Sequence, residues 1–391
     1  MKVFFLINSS YPRYAGGIEN WLFNVTQRLC DKHEVVIVSH ERSYYPMYYI
    51  NINASIKIVK FRTLRSWKFL NRFIKSYVVL FDIYLGSLIM GRVLKRLLSK
   101  EEPSIVIALD SLFCLNAGLI AKSEGTKVVS SVRGPHAEIL GLKYPFFAKT
   151  LLTFEQNLLS KADQIWANGH DTMNLLEEKG FRSLLMKNGF DSKGLAEKDV
   201  EDSQFNLLVQ NRITVVCVGT LLPIKGIFEL LDAAEILICM NHVNVHLIFI
   251  GKGNKDNYQS YAAKKGILEN VHFVGHKQNP IVYVKKCSIA ACLSGGSGMS
   301  MVAIESMASG VPIVAWDSPV YRQFNRNENL MLLVEEKNPE ALALGIMKII
   351  GNYDYYQNIG EKAKLEAKNY DWSVICERME ETFKYDFKNI I

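Results

Sequence analysis

The residues best suited to chemistry lie in SGGSGMSMVAIESMASG, residues 294–310. Gly295, Gly296 and Gly298 surround Ser297, and one acid, Glu305, follows before Gly310 and Pro312 end the stretch. A glycine-rich turn between a strand and a helix lets backbone approach a ligand, and the helix N-terminus adds free N–H groups and partial positive charge. A phosphorylated ligand fits such a loop, and Glu305, one to two turns into the helix, would reach a ligand hydroxyl. The same residues also read as a tight turn followed by a solvated acid. A second stretch, VCVGTLLPIKGIFELLDAAEIL (216–237), ends a strand at Gly219 and opens a helix at Lys225-Gly226. A lysine at a helix entry opposes the helix dipole, and a bound diphosphate would remove that conflict. The alternative is a solvated surface lysine. The third, SSYPRYAGGIENWLFNVTQRL (9–29), offers Gly16-Gly17 ahead of another helix, either as a source of backbone amides or as a permissive turn.

Several chemistries lack their residues. No Gly-x-Gly-x-x-Gly follows the first strand, and GKGNKD (251–256) puts Asp256 in the third glycine place, which weakens a dinucleotide oxidoreductase. There is no Asp-x-Asp to hold Mg²⁺ or Mn²⁺ on a sugar diphosphate, and no Walker loop. The eight histidines show no metal-ligand spacing.

These motifs need parallel strands to position them. In the first half, short Val- and Ile-rich segments (3–7, 34–39, 56–61, 105–109, 127–131, 164–167, 184–186) alternate with helix-length segments near 17–30, 67–99, 112–124, 146–160 and 170–179. This alternation predicts a doubly wound parallel sheet. Residues 191–211 are polar and aperiodic and read as a linker. The alternation then restarts at 213–219 and runs to 312–316, with helices near 339–350, 354–368 and 372–386. The expected organisation is an N-terminal domain over 1–190, a linker over 191–211 and a C-terminal domain over 212–371, with a helix from 372–391 packing back on the first. Two such domains imply a cleft, with ligands outside the carboxyl ends of the strands.

The 391 residues and a hydrophobic share of 49% suit two domains with ample core. The net charge of +7 is unevenly placed: Glu41 to Asp82 contains no acid between its ends, but holds Arg42, Lys57, Lys60, Arg62, Arg65, Lys68, Arg72 and Lys75. On a helix, Arg65, Lys68, Arg72 and Lys75 sit beside Leu70, Phe73, Tyr77, Phe81 and Tyr84, a basic face with aromatic anchors suited to an anionic membrane surface. An ordinary helix with a core face and a solvated face is the alternative. No nucleic-acid motif accompanies the basic stretch, so no nucleic-acid partner is expected. The seven scattered cysteines read as free thiols of a reducing cytosol. MKVFFLINSSYP is too briefly apolar for a secretory signal, and YVVLFDIYLGSLIM (77–90) is too short to span a bilayer.

Taken in order, Gly16-Gly17, SVRGPH (131–136), KNGFD (187–191), VGTLLPIKG (218–226), FIGKGNKDN (249–257), VHFVGH (271–276) and the 294–315 stretch resemble the retaining glycosyltransferase family 4, over nearly the whole chain. The resemblance implies a GT-B fold, two doubly wound Rossmann-like domains facing a cleft. It implies transfer of a sugar from a nucleotide diphosphate sugar to a saccharide or lipid-linked saccharide, as in assembly of bacterial surface polysaccharides. It places Glu305 on the donor ribose, Lys225 on the donor diphosphate and Gly17 near the donor phosphates. Arg133-Gly134 matches a variant of the more frequent His-Gly or His-Asp, and His136 lies close by, so Glu305, Lys225, Arg133 and His136 form the expected catalytic set. The expected donor-binding residues are Gly16, Gly17, Thr220, Asn188, Gly251, Gly296, Ser297, Gly298, Met299 and Ser300. Three positions depart from the family pattern. Ser297 stands where the first of two paired acids belongs, Thr220 where an arginine often joins Lys225, and Met299-Ser300 where Phe-Gly is usual. No metal or other cofactor is expected, and the implied location is cytoplasmic, peripheral at the inner membrane face. A GT-B-fold sugar-nucleotide epimerase and a non-catalytic membrane-associated partner are the competing readings.

Overall fold

The computed structural model describes residues 1–9, 11, 17–40, 53–62, 80–98, 103–192, 202–240, 243–277, 279–295 and 298–386. The chain divides into two compact units, Met1–Asn188 together with Trp372–Ile391, and Gly189–Asp371.

The first unit is built on a seven-stranded parallel sheet. Its strands are β1 (Lys2–Ile7), β2 (Glu34–His40), β3 (Lys57–Phe61), β4 (Ser104–Ala108), β5 (Thr126–Val132), β6 (Gln164–Ala167) and β7 (Leu184–Leu185), in the order β3-β2-β1-β4-β5-β6-β7. β1 and β4 are apolar on both faces, as parallel strands covered by helices on both sides require. Val3 pairs with Val35 of β2 on one side and Ile105 of β4 on the other. The chain moves outward from β1 to β3 and then returns to add β4 on the opposite side, so the strand order reverses between β1 and β4.

The helix Trp372–Asp386 completes this unit. Phe383 stacks on Trp166 with ring centres 6.2 Å apart and meets His33 edge-on at 6.0 Å, while Lys32 pairs with Glu380 at 2.9 Å. The segment expected to be helical over 67–99 is described only from residue 80, where a π-turn over Asp82–Gly86 leads into the helix Ser87–Leu97. Arg65, Lys68, Arg72, Lys75, Leu70, Phe73 and Tyr77 lie outside the described residues.

The second unit repeats the plan with β8 (Ile213–Val218), β9 (Val245–Ile250), β10 (Val271–Gly275), β11 (Ile289–Cys292), β12 (Ile313–Trp316) and β13 (Leu332–Val334), all parallel, in the order β10-β9-β8-β11-β12-β13. Here the order reverses between β8 and β11. Open α/β sheets bind ligands outside the carboxyl ends of the strands at such a reversal.

The stretch read as a linker differs from the sequence expectation. Residues 203–209, inside the stretch read as a linker, form a helix. Asp202 caps it by accepting the Phe205 N–H at 3.0 Å, and Phe205 is buried in the second unit's core, edge-on to Tyr283. The helix has only seven residues, and of its apolar ones Phe205 is buried while Leu207 is exposed, so its hydrophobic pattern is too short and too mixed to carry a periodic signal.

Candidate functional site

At the reversal in the second unit, the loops after β8 and β11 are joined by backbone and side chain. Gly295 N–H donates to the Ile224 carbonyl at 2.9 Å, and Lys225 Nζ donates to Ser294 Oγ at 2.8 Å. Ser294 is held in turn by Tyr321, whose hydroxyl oxygen accepts the Ser294 N–H at 2.9 Å. Lys225 is half-buried, and burial lowers its ammonium below the usual lysine range. Among the described residues no carboxylate pairs with it. A partly desolvated cation without a counter-ion among the described residues, at the carboxyl ends of two parallel strands, is a candidate site for an anion.

Glycines shape the same floor. Gly226 adopts φ +69°, and a side chain there would meet Leu293 Cβ at 2.5 Å, so the turn after Lys225 requires glycine. A side chain at Gly251 would overlap the Gly219 carbonyl, which packs beside it. Gly251 therefore has a structural reason to be glycine that needs no ligand. Thr220, the next residue after Gly219, is exposed.

The second loop leads into the helix Met301–Ser309. Gly298 has φ +89°, and its carbonyl accepts from Gln323 Nε2 at 2.9 Å. Met299 is buried in the core of this unit. Ser300 caps the helix, accepting the Ala303 N–H at 3.2 Å. Both residues of the Met299-Ser300 departure from the family pattern thus have local work: one fills the core and the other starts the helix. Ser300→Ala is expected to cost about 1 kcal/mol of stability in a denaturant melt, the usual worth of an N-cap. A loss below a few tenths would show that the cap contributes nothing.

Glu305 lies in the second turn of that helix. It has no hydrogen bond or ion pair among the described residues, and burial pushes its carboxyl up to about 7. Such an acid waits for a donor, and ligand hydroxyls would supply one. Gly296 and Ser297 lie outside the described residues, so the substitution of Ser297 for an acid has no structural description here.

The first unit carries a separate cluster. Arg133, after β5, lies over the Trp21 ring, 3.8 Å from its centre, and donates from Nη1 to Asn188 Oδ1 at 2.8 Å. Its Nε and Nη2 are buried without a partner among the described residues, and burial lowers the guanidinium to about 9. Trp21 belongs to the helix Gly17–Leu29, so Arg133, Asn188 and the helix that opens at Gly17 meet. A side chain at Gly17 would meet nothing within 4 Å among the described residues. Gly16 lies outside the described residues.

His136 belongs to a different place. It helps line a cavity of about 340 Å³ at the reversal between β1 and β4, with Asn8, Ser9, Glu19, Asp110 and Leu140. Its Nδ1 is 3.2 Å from Ser111 Oγ. His136 follows Arg133 closely in the chain, yet their described partners are distinct. Sequence reasoning missed Trp21, Ser111, Glu155, Ser294 and Tyr321. Ser294 alone carried a signal, as the residue directly before the glycine loop.

The fold and these sites agree with what the chain is similar to. Residues 15–193 match the family described as Glycosyltransferase Family 4, and residues 199–366 match Glycosyl transferases group 1. An uncharacterised glycosyltransferase of Methanocaldococcus jannaschii is 24% identical over 95% of each chain. The phosphatidyl-myo-inositol mannosyltransferase of Mycobacterium leprae is 28% identical over 40% of this chain. That match spans 42% of the mycobacterial protein, and a further curated relative is matched over 47% of its length. The crystal structure of Anabaena HepE in complex with UDP and glucose superposes with a TM-score of 0.69, at 20% identity, over 98% of this chain and all of that one. The two parallel-sheet units are those of the GT-B fold. The chain belongs to the family 4 type of glycosyltransferases.

Proposed function

We propose that the protein is a retaining glycosyltransferase that moves a sugar from a nucleotide diphosphate sugar to a saccharide or lipid-linked saccharide during assembly of a bacterial surface polysaccharide. The observation that carries this reading is the Lys225 ammonium on Ser294, without a carboxylate partner among the described residues and set between glycine loops at the reversal of the second sheet. Breaking the anomeric C–O bond builds negative charge on the departing diphosphate. Lys225 and the backbone amides of the loop before Met301 stabilise that charge where it develops, without a metal. Glu305 receives the ribose hydroxyls. Same-face attack, with the leaving phosphate taking the acceptor proton, asks for no protein nucleophile, which suits a serine at position 297.

The test is release of nucleoside diphosphate from a panel of nucleotide sugars, with and without lipid-linked acceptors. Acceptor-dependent release supports transfer. Conversion of a UDP-sugar to its epimer without acceptor would establish the competing epimerase. Absence of nucleotide binding would leave the non-catalytic reading.

The acceptor reading extends to the inner face of an anionic membrane. No helix among the described residues is long and apolar enough to cross one. On the first unit, Phe81 and Tyr84 are 61% and 59% exposed, and Leu142 and Phe146 are 84% and 90% exposed. Large apolar side chains in solvent, of which Phe81 and Tyr84 follow the basic segment in sequence, favour a surface that is both oily and negative. Neutralising Lys68 and Arg72 to glutamine is expected to weaken binding to anionic vesicles about thirtyfold, at about 1 kcal/mol for each charge. Co-sedimentation at low and high salt measures this, and equal binding to zwitterionic vesicles would defeat it.

A further inference from the structure

From the first-unit cavity a chain of three side chains from three segments leads inward, from the half-buried His136 to the buried Ser111 and Glu155. Ser111, fully buried just after β4, donates its hydroxyl proton to Glu155 Oε1 on the helix Ala148–Leu159, and His136 Nδ1 lies 3.2 Å from the same Ser111 oxygen. Lys179 is bonded to Glu138 and lies 3.9 Å from Glu155 Oε2. Burial raises the Glu155 carboxyl, against the pull of the Ser111 hydroxyl and Lys179.

The hydrogen count of this chain is restrictive. A serine hydroxyl has one proton to give, and an ionised carboxylate can only accept. With that proton on Glu155, Ser111 can only accept from the imidazole. Nδ1 must then carry the hydrogen of a neutral His136, and Nε2 keeps its lone pair. The mirror arrangement needs a donor at position 155.

We propose that Ser111 and Glu155 are positioning residues that hold His136 in its Nδ1–H form, so that Nε2 offers a hydrogen-bond acceptor to a substrate hydroxyl in the cavity. The lining suits such a ligand: Asp110 brings a carboxylate to otherwise mostly apolar walls formed by residues such as Ile7, Leu109 and Phe113. A carboxylate among apolar walls favours an uncharged, hydroxyl-rich sugar and disfavours a phosphate group. The substrate half of this inference rests on the transferase reading. The tautomer half does not.

The experiment is a long-range proton–nitrogen NMR spectrum of the full chain labelled with ¹⁵N-histidine at a pH where the ring is neutral, with His136→Gln used to assign the signal. Wild type is expected to show the Nδ1–H pattern. Glu155→Gln, whose amide donates to Ser111, is expected to turn the Ser111 proton onto Nδ1 and switch His136 to the Nε2–H pattern. Ser111→Ala is expected to show a mixture, and it serves as the readout if Glu155→Gln does not fold. An Nε2–H pattern in wild type, or no change in either variant, overturns the tautomer claim. With an active acceptor in hand, Glu155→Gln is expected to raise its KM about tenfold and leave the donor KM unchanged. A switched tautomer with an unchanged acceptor KM overturns the substrate half. Failure to find any transfer would count against the transferase reading and leave the NMR result standing.

Discussion

Lys225→Ala is expected to lower kcat by about 10²- to 10³-fold, because removing one preorganised group that stabilises transition-state charge costs about 3–4 kcal/mol. The structure makes the loss specific. Lys225 is half-buried, lies on Ser294, and has no carboxylate partner among the described residues. A cation so placed is itself a cost to the free protein, since burial disfavours its charge. The variant is therefore expected to melt at the same temperature as wild type or slightly above it, while affinity for nucleoside diphosphate falls. Steady-state kinetics paired with thermal melts separate the two effects. A kcat within about threefold of wild type would remove the lysine from the chemistry, and a sharply lowered melting temperature would make it a structural residue.

Glu305→Gln is expected to make the protein more stable at alkaline pH and a poorer binder of nucleotide. The carboxyl titrates at about 7 in the folded chain, against 4.5 for an ordinary glutamate. A raised folded value means that its contribution to stability is fully present below about pH 4.5 and is lost as pH rises through about 7. The loss is at most about 3–4 kcal/mol, at about 1.4 kcal/mol for each tenfold change in proton affinity. Glutamine cannot ionise and escapes it. Melts at about pH 8.5 are expected to place the variant about 5–10 °C above wild type, the difference such a free energy makes in a unit of this size. The two should coincide at about pH 4.5, where the wild-type carboxyl is protonated when folded. Nucleotide affinity is expected to fall about 10- to 100-fold, the range for losing hydrogen bonds to a charged group. Equal melts at alkaline pH would show that the carboxylate already has a partner, and unchanged affinity would remove it from the ribose. Those two results together would show the acid at 305 trading stability for binding.

The sequence disclosed the elements whose physics is local. Val- and Ile-rich runs such as 105–109 and 245–250 announce buried parallel strands, and Gly226 and Gly298 mark turns that take positive φ. Lys225 was legible because a cation at a helix entry contradicts the dipole. Its neighbour Tyr321 was not, since nothing in a short SPVYRQF stretch predicts a hydroxyl returning to Ser294. Ser111 and Glu155 stand 44 residues apart, and only the return of the chain over the sheet brings them together. β13, three residues long, and the helix His136–Lys143, interrupted by Gly141, are too short or too broken for periodicity to reveal. Gly141 has its own reason: a side chain there would press on Ala148 at 3.0 Å where two helices meet. The basic stretch from Arg65 to Lys75 stays where the sequence left it, as a charge pattern.

The closing helix has a consequence for how the protein is made. Its residues belong to the first unit, yet they leave the ribosome after the whole of the second, roughly 180 residues later. At about 5–20 residues per second, the N-terminal sheet waits about 10–40 s for its last piece. Through that interval Trp166 lacks the ring that stacks on it, and the face that will receive Phe383 and Trp372 is open to water or to a chaperone. The second unit, a continuous stretch, has all its parts and can fold first. Completion of the two units is thereby expected in the reverse of their order of synthesis, and a released chain truncated before Trp372 should carry a finished C-terminal unit beside an unfinished N-terminal one.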